Sequence, residues 1–325
     1  MNDYVAHTQV LQASIIWEQC TEVPTKFSAG KTTVINGKVY CGGGYTDVRD
    51  NRYVVYCYDP SQDMWTPLPP LPVRWFGLGQ VNGKLVVVGG MKRRDDLETN
   101  EIYIYGTSMR SQKWKQTISP MPTARHSPCV VSLQSALVVV GGVTSTNDHT
   151  NAVEIFKLDT SQWYHTTLLP TGYCAMTLVA IGNTCYALGG YRDHKGPSQF
   201  SVVLCASVDN LLCNAVPANH MHSCDTQSAW KTLLNTSTYG STVAVLAGKL
   251  LTIGGRESST KNAKKKEIYM YSHSTNSWIY ISDLPAPLSS TAVAILSSTE
   301  ILVIAGLDDS GKVNNVYKGT LQLEL

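Results

Sequence analysis

Phenylalanine is nearly missing from this chain, with 4 residues against 17 tyrosines. Half-exposed strands and interaction surfaces favour tyrosine, whose ring buries while its hydroxyl stays wet. Long apolar runs are missing too, and none approaches the roughly 20 residues that span a bilayer as a helix. The opening MNDYVAHTQVLQASIIW lacks a basic segment followed by an apolar core and does not read as a secretory signal. There is little charge imbalance: the net charge of 325 residues is +2. No global field therefore calls for nucleic acid or an acidic membrane surface. GxSxG, HExxH and P-loop motifs are absent. So is CxxC: the nine cysteines are scattered, several inside apolar runs such as VYCGG and NTCYALGG. They read as buried thiols in a reducing compartment. The expectation is a cytoplasmic protein without metal or cofactor, whose 43% apolar content suffices for a large core.

What is present is a repeat. Six apolar runs end in a pair of small residues: Gly43-Gly44, Gly89-Gly90, Gly141-Gly142, Gly189-Gly190, Gly254-Gly255 and Ala305-Gly306. Tryptophan recurs in phase with them at Trp17, Trp65, Trp114, Trp163, Trp230 and Trp278. Each unit reads as four short strands, the first two joined in the second unit by the hairpin turn Asn82-Gly83. A lone four-stranded sheet with two apolar faces cannot bury both, whereas sheets packed radially around an axis can. The glycine pair sits where a side chain would meet the neighbouring blade or need positive φ. The tryptophan fills the diverging gap between blades. Trp17 lacks a preceding glycine pair and Ala305-Gly306 lacks a following tryptophan. The N-terminal strand SIIWEQC is thus expected to complete the last blade and close the ring within the chain. The reading is all-β: a six-bladed β-propeller of four-stranded antiparallel blades over 14–325, after a leader of 1–13.

These features resemble the Kelch repeat. The glycine pairs, the tyrosines about a dozen residues later (Tyr56, Tyr103, Tyr269), the tryptophans, and the Pro-rich segments PLPPLPVR, SPMPTAR and SDLPAPLSS carry the likeness. The third unit has Phe156 for tyrosine, the fourth has FSVVLCASV, and the sixth has Ala305 for the first glycine. The resemblance implies that the links before the first strands and the loops after the second strands share one face. It also implies a recognition module of the kind found in larger animal proteins, including ubiquitin-ligase adaptors and kinase fusions. This chain has no BTB or kinase segment.

On that face the loops carry Arg52, Arg74, Trp75, Arg93, Arg125, His126, Tyr173, Tyr191, Arg192, Tyr239 and Arg256. Arg74 and Arg125 lie 15 and 16 residues before their glycine pairs and read as near-equivalent. Two converging guanidinium groups suit an acidic peptide, because each grips a carboxylate with two parallel hydrogen bonds. Each of these arginines can equally be an ordinary loop residue bonded to nearby carbonyls. The expected partner is another protein or peptide, acidic in part, bound by a monomeric propeller that is free-standing or part of a larger protein.

The alternative is an enzyme. Kelch propellers include sugar mutarotases, for which Arg125-His126 would supply an acid–base pair, and copper radical oxidases, whose axial histidines have no counterpart pattern here. The insertion before Trp230 holds Cys205, Cys213, His220, His222 and Cys224. Its spacing is poor for zinc. The basic runs Lys92–Arg94 and Lys261–Lys266 read as solvated loops.

Overall fold

The computed structural model describes residues 12–106, 112–117, 119–133, 135–190, 201–213, 215–218, 229–236, 240–257 and 263–324. Six antiparallel sheets surround one axis. Their inner strands are Lys31–Ile35, Gly77–Val81, Cys129–Leu133, Thr177–Ile181, Thr242–Leu246 and Ala292–Ile295. Each inner strand lies against the next and the sixth against the first, which closes the ring. We number the blades 1 to 6 in the order of these strands. The second strands, such as Lys84–Val88 and Ala136–Val140, are buried almost throughout. A strand sandwiched between two neighbouring blades is apolar on both sides, so its sequence runs continuously instead of alternating. The first hairpins turn through Asn36-Gly37 and Asn82-Gly83, all four at positive φ, as a type I′ turn requires.

Blade 6 is the expected composite. Gln12–Cys20 pairs antiparallel with Gly311–Glu324, placing Trp17 opposite Gly319. The strand begins at Gln12, so the expected boundary at Ser14 falls inside it; residues 1–11 lie outside the described residues.

Four of the six tryptophans in the series repeat one contact. The indole N–H of Trp17 donates to Asp283 O (2.8 Å), Trp65 to Thr21 O (2.9 Å), Trp114 to Pro69 O (2.8 Å) and Trp163 to Ser119 O (3.2 Å). Each acceptor lies at or beyond the end of the preceding blade's outer strand, so the ring bridges two blades. Directly across the sheet from Trp65, Trp114, Trp163 and Trp278 stand Tyr58, Tyr105, Phe156 and Tyr271, with centroids 4.8–5.5 Å away. The tyrosines that face tryptophan are thus two residues beyond Tyr56, Tyr103 and Tyr269, on the same side of the strand, while Phe156 is the partner itself.

The glycine pairs sit where backbone meets backbone. The second glycine donates its N–H to the link entering the next blade: Gly90 to Arg125 O, Gly142 to Tyr173 O, Gly255 to Leu288 O and Gly306 to Phe27 O, at 2.8–2.9 Å. A Cβ on Gly141, at φ +61°, would lie 2.2 Å from Tyr173 O, so both space and conformation demand glycine there. Ala305 takes a similar φ of 54° and is fully buried.

The insertion of the fourth unit does something the repeat does not signal. Val216–Pro217 pairs with the outer strand Gln162–His165 and gives blade 3 a fifth strand. Ala218 N–H adds a bond to Trp163 O (3.0 Å). Cys205 lies within the strand Ser201–Ser207 and Cys213 ends the helix Val208–Cys213; His220, His222 and Cys224 lie outside the described residues. Among the described residues, no three His, Cys, Asp or Glu side chains cluster in a metal-binding arrangement.

Deleting residues 1–20 would strip the outer strand from blade 6 and expose the edge of Gly311–Glu324. The truncated protein should aggregate or unfold over a broadened transition in thermal denaturation. A melt superimposable on that of the full chain would contradict ring closure.

Candidate functional site

The links that enter the blades share a conformation. Two residues before each inner strand stands a residue with left-handed φ: Ala29 (53°), Trp75 (53°), Ser127 (52°), Ala175 (54°), Gly240 (60°) and Ser290 (51°). These residues are bonded to one another around the mouth of the channel. Ser127 N–H donates to Trp75 O (2.6 Å), Ala175 to Ser127 O (3.3 Å), Ser290 to Gly240 O (2.7 Å) and Ala29 to Ser290 O (2.7 Å). Non-glycine residues pay about 1–3 kcal/mol for such a conformation, and five of the six are Ala, Ser or Gly. Trp75 is the exception. A bulky side chain held at positive φ marks a place where the surroundings impose the conformation.

Trp75 is the centre of a cluster drawn from three blades. Its ring lies 5.2 Å from Tyr45, in the loop after the second strand of blade 1, and 5.4 Å from His126, on the link into blade 3. The Arg74 guanidinium stacks on it at 4.1 Å, a favourable cation–π geometry, and pairs with Asp96 at 2.9 Å. His126 Nδ1 is 3.0 Å from Ser127 Oγ and Nε2 is 3.9 Å from Glu98. Next to this cluster Arg93 pairs with Asp50 at 2.7 Å and lies over Tyr53 at 4.9 Å, tying the loops of blades 1 and 2 together. Tyr45, Val48 and Leu97 are large exposed apolar residues of the same loops. The result is an aromatic surface bordered by paired charges of both signs.

The other predicted residues divide. Arg52 is half-buried and donates from Nε to Thr46 O (3.1 Å). Arg256 is half-buried at the end of the strand Lys249–Arg256. Tyr191, Arg192 and Tyr239 lie outside the described residues. Arg125 and Tyr173 are corrections: neither is a surface group. Arg125 is 0% exposed. Its Nη2 meets the buried Glu154 carboxylate, Nη1 donates to Gly141 O (2.9 Å), and Nε donates to Thr123 O (3.2 Å). Thr123 Oγ1 completes the group on Glu154 at 2.7 Å. Burial pulls the Arg125 guanidinium below its ordinary value, and Glu154 opposes the shift.

The reason is register. Counted back from the inner strands, Arg125 aligns with Phe27, Val73, Tyr173 and Leu288, all buried. The residue that aligns with Arg74 is His126. One position moves a side chain between face and core. Tyr45, Asp96 and Glu98 were missed, although Tyr45 directly follows its glycine pair.

On the axis lies a channel of about 530 Å³, lined by Gly30, Thr32, Val130, Thr177, Ser241 and Ser290 among others. Among the described lining residues the only ionisable side chains are Lys31 and Cys129. Burial pushes the Cys129 thiol up.

The division between scaffold and face is testable by urea denaturation. Trp163→Ala should cost about 3–5 kcal/mol, and Arg125→Ala, which strands Glu154, about 3–5 kcal/mol. Arg74→Ala, whose partner Asp96 is largely exposed, should cost less than Arg125→Ala. Trp75→Gly relieves the φ strain while losing ring contacts, and should stay within about 1 kcal/mol of the parent. Equal losses for Trp75→Gly and Trp163→Ala would erase the distinction.

Comparisons with known proteins agree with this architecture. The model of the KLHDC2/KLHL20/DRC7 Kelch-repeats domain matches residues 76–238, and the Kelch motif matches 28–72 and 237–285. Kelch-like protein 40 of Xenopus tropicalis is 30% identical over 145 residues, 44% of this chain and 23% of that protein. Kelch-like protein 36 of Rattus norvegicus is 22% identical over 289 residues, 86% of this chain and 44% of that protein. The matches thus span less than half the length of these relatives. The solved structure of YjhT superposes with a TM-score of 0.71 at 15% identity, covering 94% of this chain and 99% of that one; it shares the fold. No helix among the described residues is long and apolar enough to cross a membrane. The family models, read with a six-bladed ring in which four glycine-pair seams and four bridging tryptophans recur, establish that the chain belongs to the Kelch-repeat family.

Proposed function

We propose that this Kelch propeller binds a segment of another protein across the face that carries its links and second-strand loops, with Trp75 as the anchor. The observation that carries the reading is Trp75 itself, a large ring at a strained position that five other blades fill with Ala, Ser or Gly. Strain of that kind persists at ligand sites, and tryptophan and arginine dominate binding hot spots. Loops on a rigid scaffold are also where binding residues concentrate.

The charge pattern favours a segment with an acidic residue. Arg74 already holds the exposed carboxylate of Asp96, an exchange partner that a ligand carboxylate displaces at small cost. The buried Nε of Arg74 makes no hydrogen bond among the described residues, so its donors are unsaturated. Because Asp50, Asp96 and Glu98 share the surface, the expected ligand is patterned instead of uniformly acidic. The mutarotase alternative asks for an acid–base pair in a polar pocket. The described channel lining has no carboxylate or imidazole, and Arg125 is committed to Glu154, so these observations support binding instead. The buried free thiols of Cys41, Cys129 and Cys185 suit a reducing, cytoplasmic setting. The partial coverage of the Kelch-like relatives suits a module within a larger protein.

The test is affinity for a partner identified by pull-down and mass spectrometry. Trp75→Gly should weaken binding about 30-fold, a loss of about 2 kcal/mol. Arg74→Ala should weaken it as well, and affinity should fall as salt rises. Parental affinity in both variants would remove this face as the recognition surface.

A further inference from the structure

We infer that the channel mouth is a binding site for a small anion, a carboxylate or phosphate group, held by the Lys31 ammonium. Lys31 is a second break in the six-fold pattern. Lys31 is the first residue of its inner strand, and the same place is taken by Gly77, Cys129, Thr177, Thr242 and Ala292 in the other blades. The lysine reaches across the axis from blade 1, and its Nζ donates to Met176 O, on the link into the opposite blade, at 3.3 Å.

That is its single hydrogen bond among the described residues, and an ammonium carries three donors. No described lining residue is a carboxylate, so the positive charge inside the channel has no fixed counter-charge there. A cation in a partly enclosed space is costly unless paired, and screening by solvent is weaker than at an open surface. The groups around it are suited to an oxyanion. Thr177 and Ser290 are hydroxyl-bearing residues of the lining, whereas the Thr32 hydroxyl is committed to Val293 O, and inner strands present edge backbone to the axis. The channel's roughly 530 Å³ admits a small organic acid or phosphate. One ammonium without a planar fork recognises charge as a point, so carboxylate and phosphate share the site chemistry. The anion can come from free solute or from an acidic side chain of a bound segment. The site does not depend on partner binding at the Trp75 surface.

The experiment is a titration with sodium phosphate and, separately, sodium citrate against sodium chloride at matched ionic strength, read by thermal shift and isothermal calorimetry. The parent should show a saturable rise in Tm with phosphate or citrate. Lys31→Met should bind at least ten-fold more weakly, Lys31→Arg should retain binding, and Lys84→Met, at the exposed Asn82-Gly83 hairpin, should bind as the parent does. Should Lys31→Met fail to fold, Lys31→Gln serves the same arm. A tetraglutamate peptide separates the sources: binding lost in both Lys31→Met and Trp75→Gly assigns the site to a partner's side chain, whereas binding of phosphate or citrate alone assigns it to free solute. Equal responses of the parent and Lys31→Met, or no saturable response to any of these anions, would overturn the proposal. Failure here with Trp75-dependent partner binding intact would leave the partner-binding surface standing.

Discussion

Everything in this molecule rests on the seam where the end of each second strand meets the link entering the next blade. Gly90, Gly142, Gly255 and Gly306 donate N–H groups to Arg125, Tyr173, Leu288 and Phe27 across it at 2.8–2.9 Å. Each bond contributes only about 0.5–1.5 kcal/mol net, yet the approach it permits sets the spacing of the blades. Closer backbone leaves no room for Cβ; looser backbone would open the wedges that tryptophan rings fill. The indole bonds from Trp17, Trp65, Trp114 and Trp163 to the preceding blades brace the outer side of the same joints. Inner seam and outer brace together explain why glycine pair and tryptophan keep one phase along the chain.

Against so regular a frame, departures from six-fold likeness stand out as information. Trp75 replaces a small residue at a left-handed position, Lys31 replaces a small or neutral one at the mouth of the channel, and Arg125 replaces an apolar one in the core. The three have different consequences. Arg125 is neutralised by Glu154 out of water, so it secures the link that bears His126 and Ser127. Trp75 and Lys31 remain where a ligand can reach them. The link hydrogen bond from Ser127 to Trp75 O couples the secured link to Trp75, which gives the buried ion pair a part in shaping the face.

The fold was legible because its cause is periodic: glycine pairs, tryptophans and the leftover Trp17 and Ala305-Gly306 each record a seam or the closure of the ring. The face was legible only as a set of loops. Spacings of 15 and 16 residues from the glycine pair made Arg74 and Arg125 look near-equivalent, but the two stand one position apart in their links, and in a link threaded between core and surface one residue decides burial. The contact between tryptophan and the aromatic residue facing it, Tyr58, Tyr105, Phe156 or Tyr271, depends on strand register, which the spacing of Tyr56, Tyr103 and Tyr269 did not specify. Nothing in the composition of the insertion marked Val216–Pro217 as a fifth strand on blade 3, since that pairing is non-local and satisfies an edge set by another repeat. The strain at Trp75 was invisible because φ belongs to the position and not to the residue name.

The central claim is that blade joints provide scaffold while breaks in the repeat on one face provide recognition. Hydrogen–deuterium exchange on the complex with a captured partner tests it most directly. The account predicts that binding slows exchange in the peptides covering residues 43–54, 72–78 and 124–129, and leaves the hairpins at Asn36-Gly37 and Asn82-Gly83 unchanged. Protection confined to those hairpins or to the outer strands would contradict it.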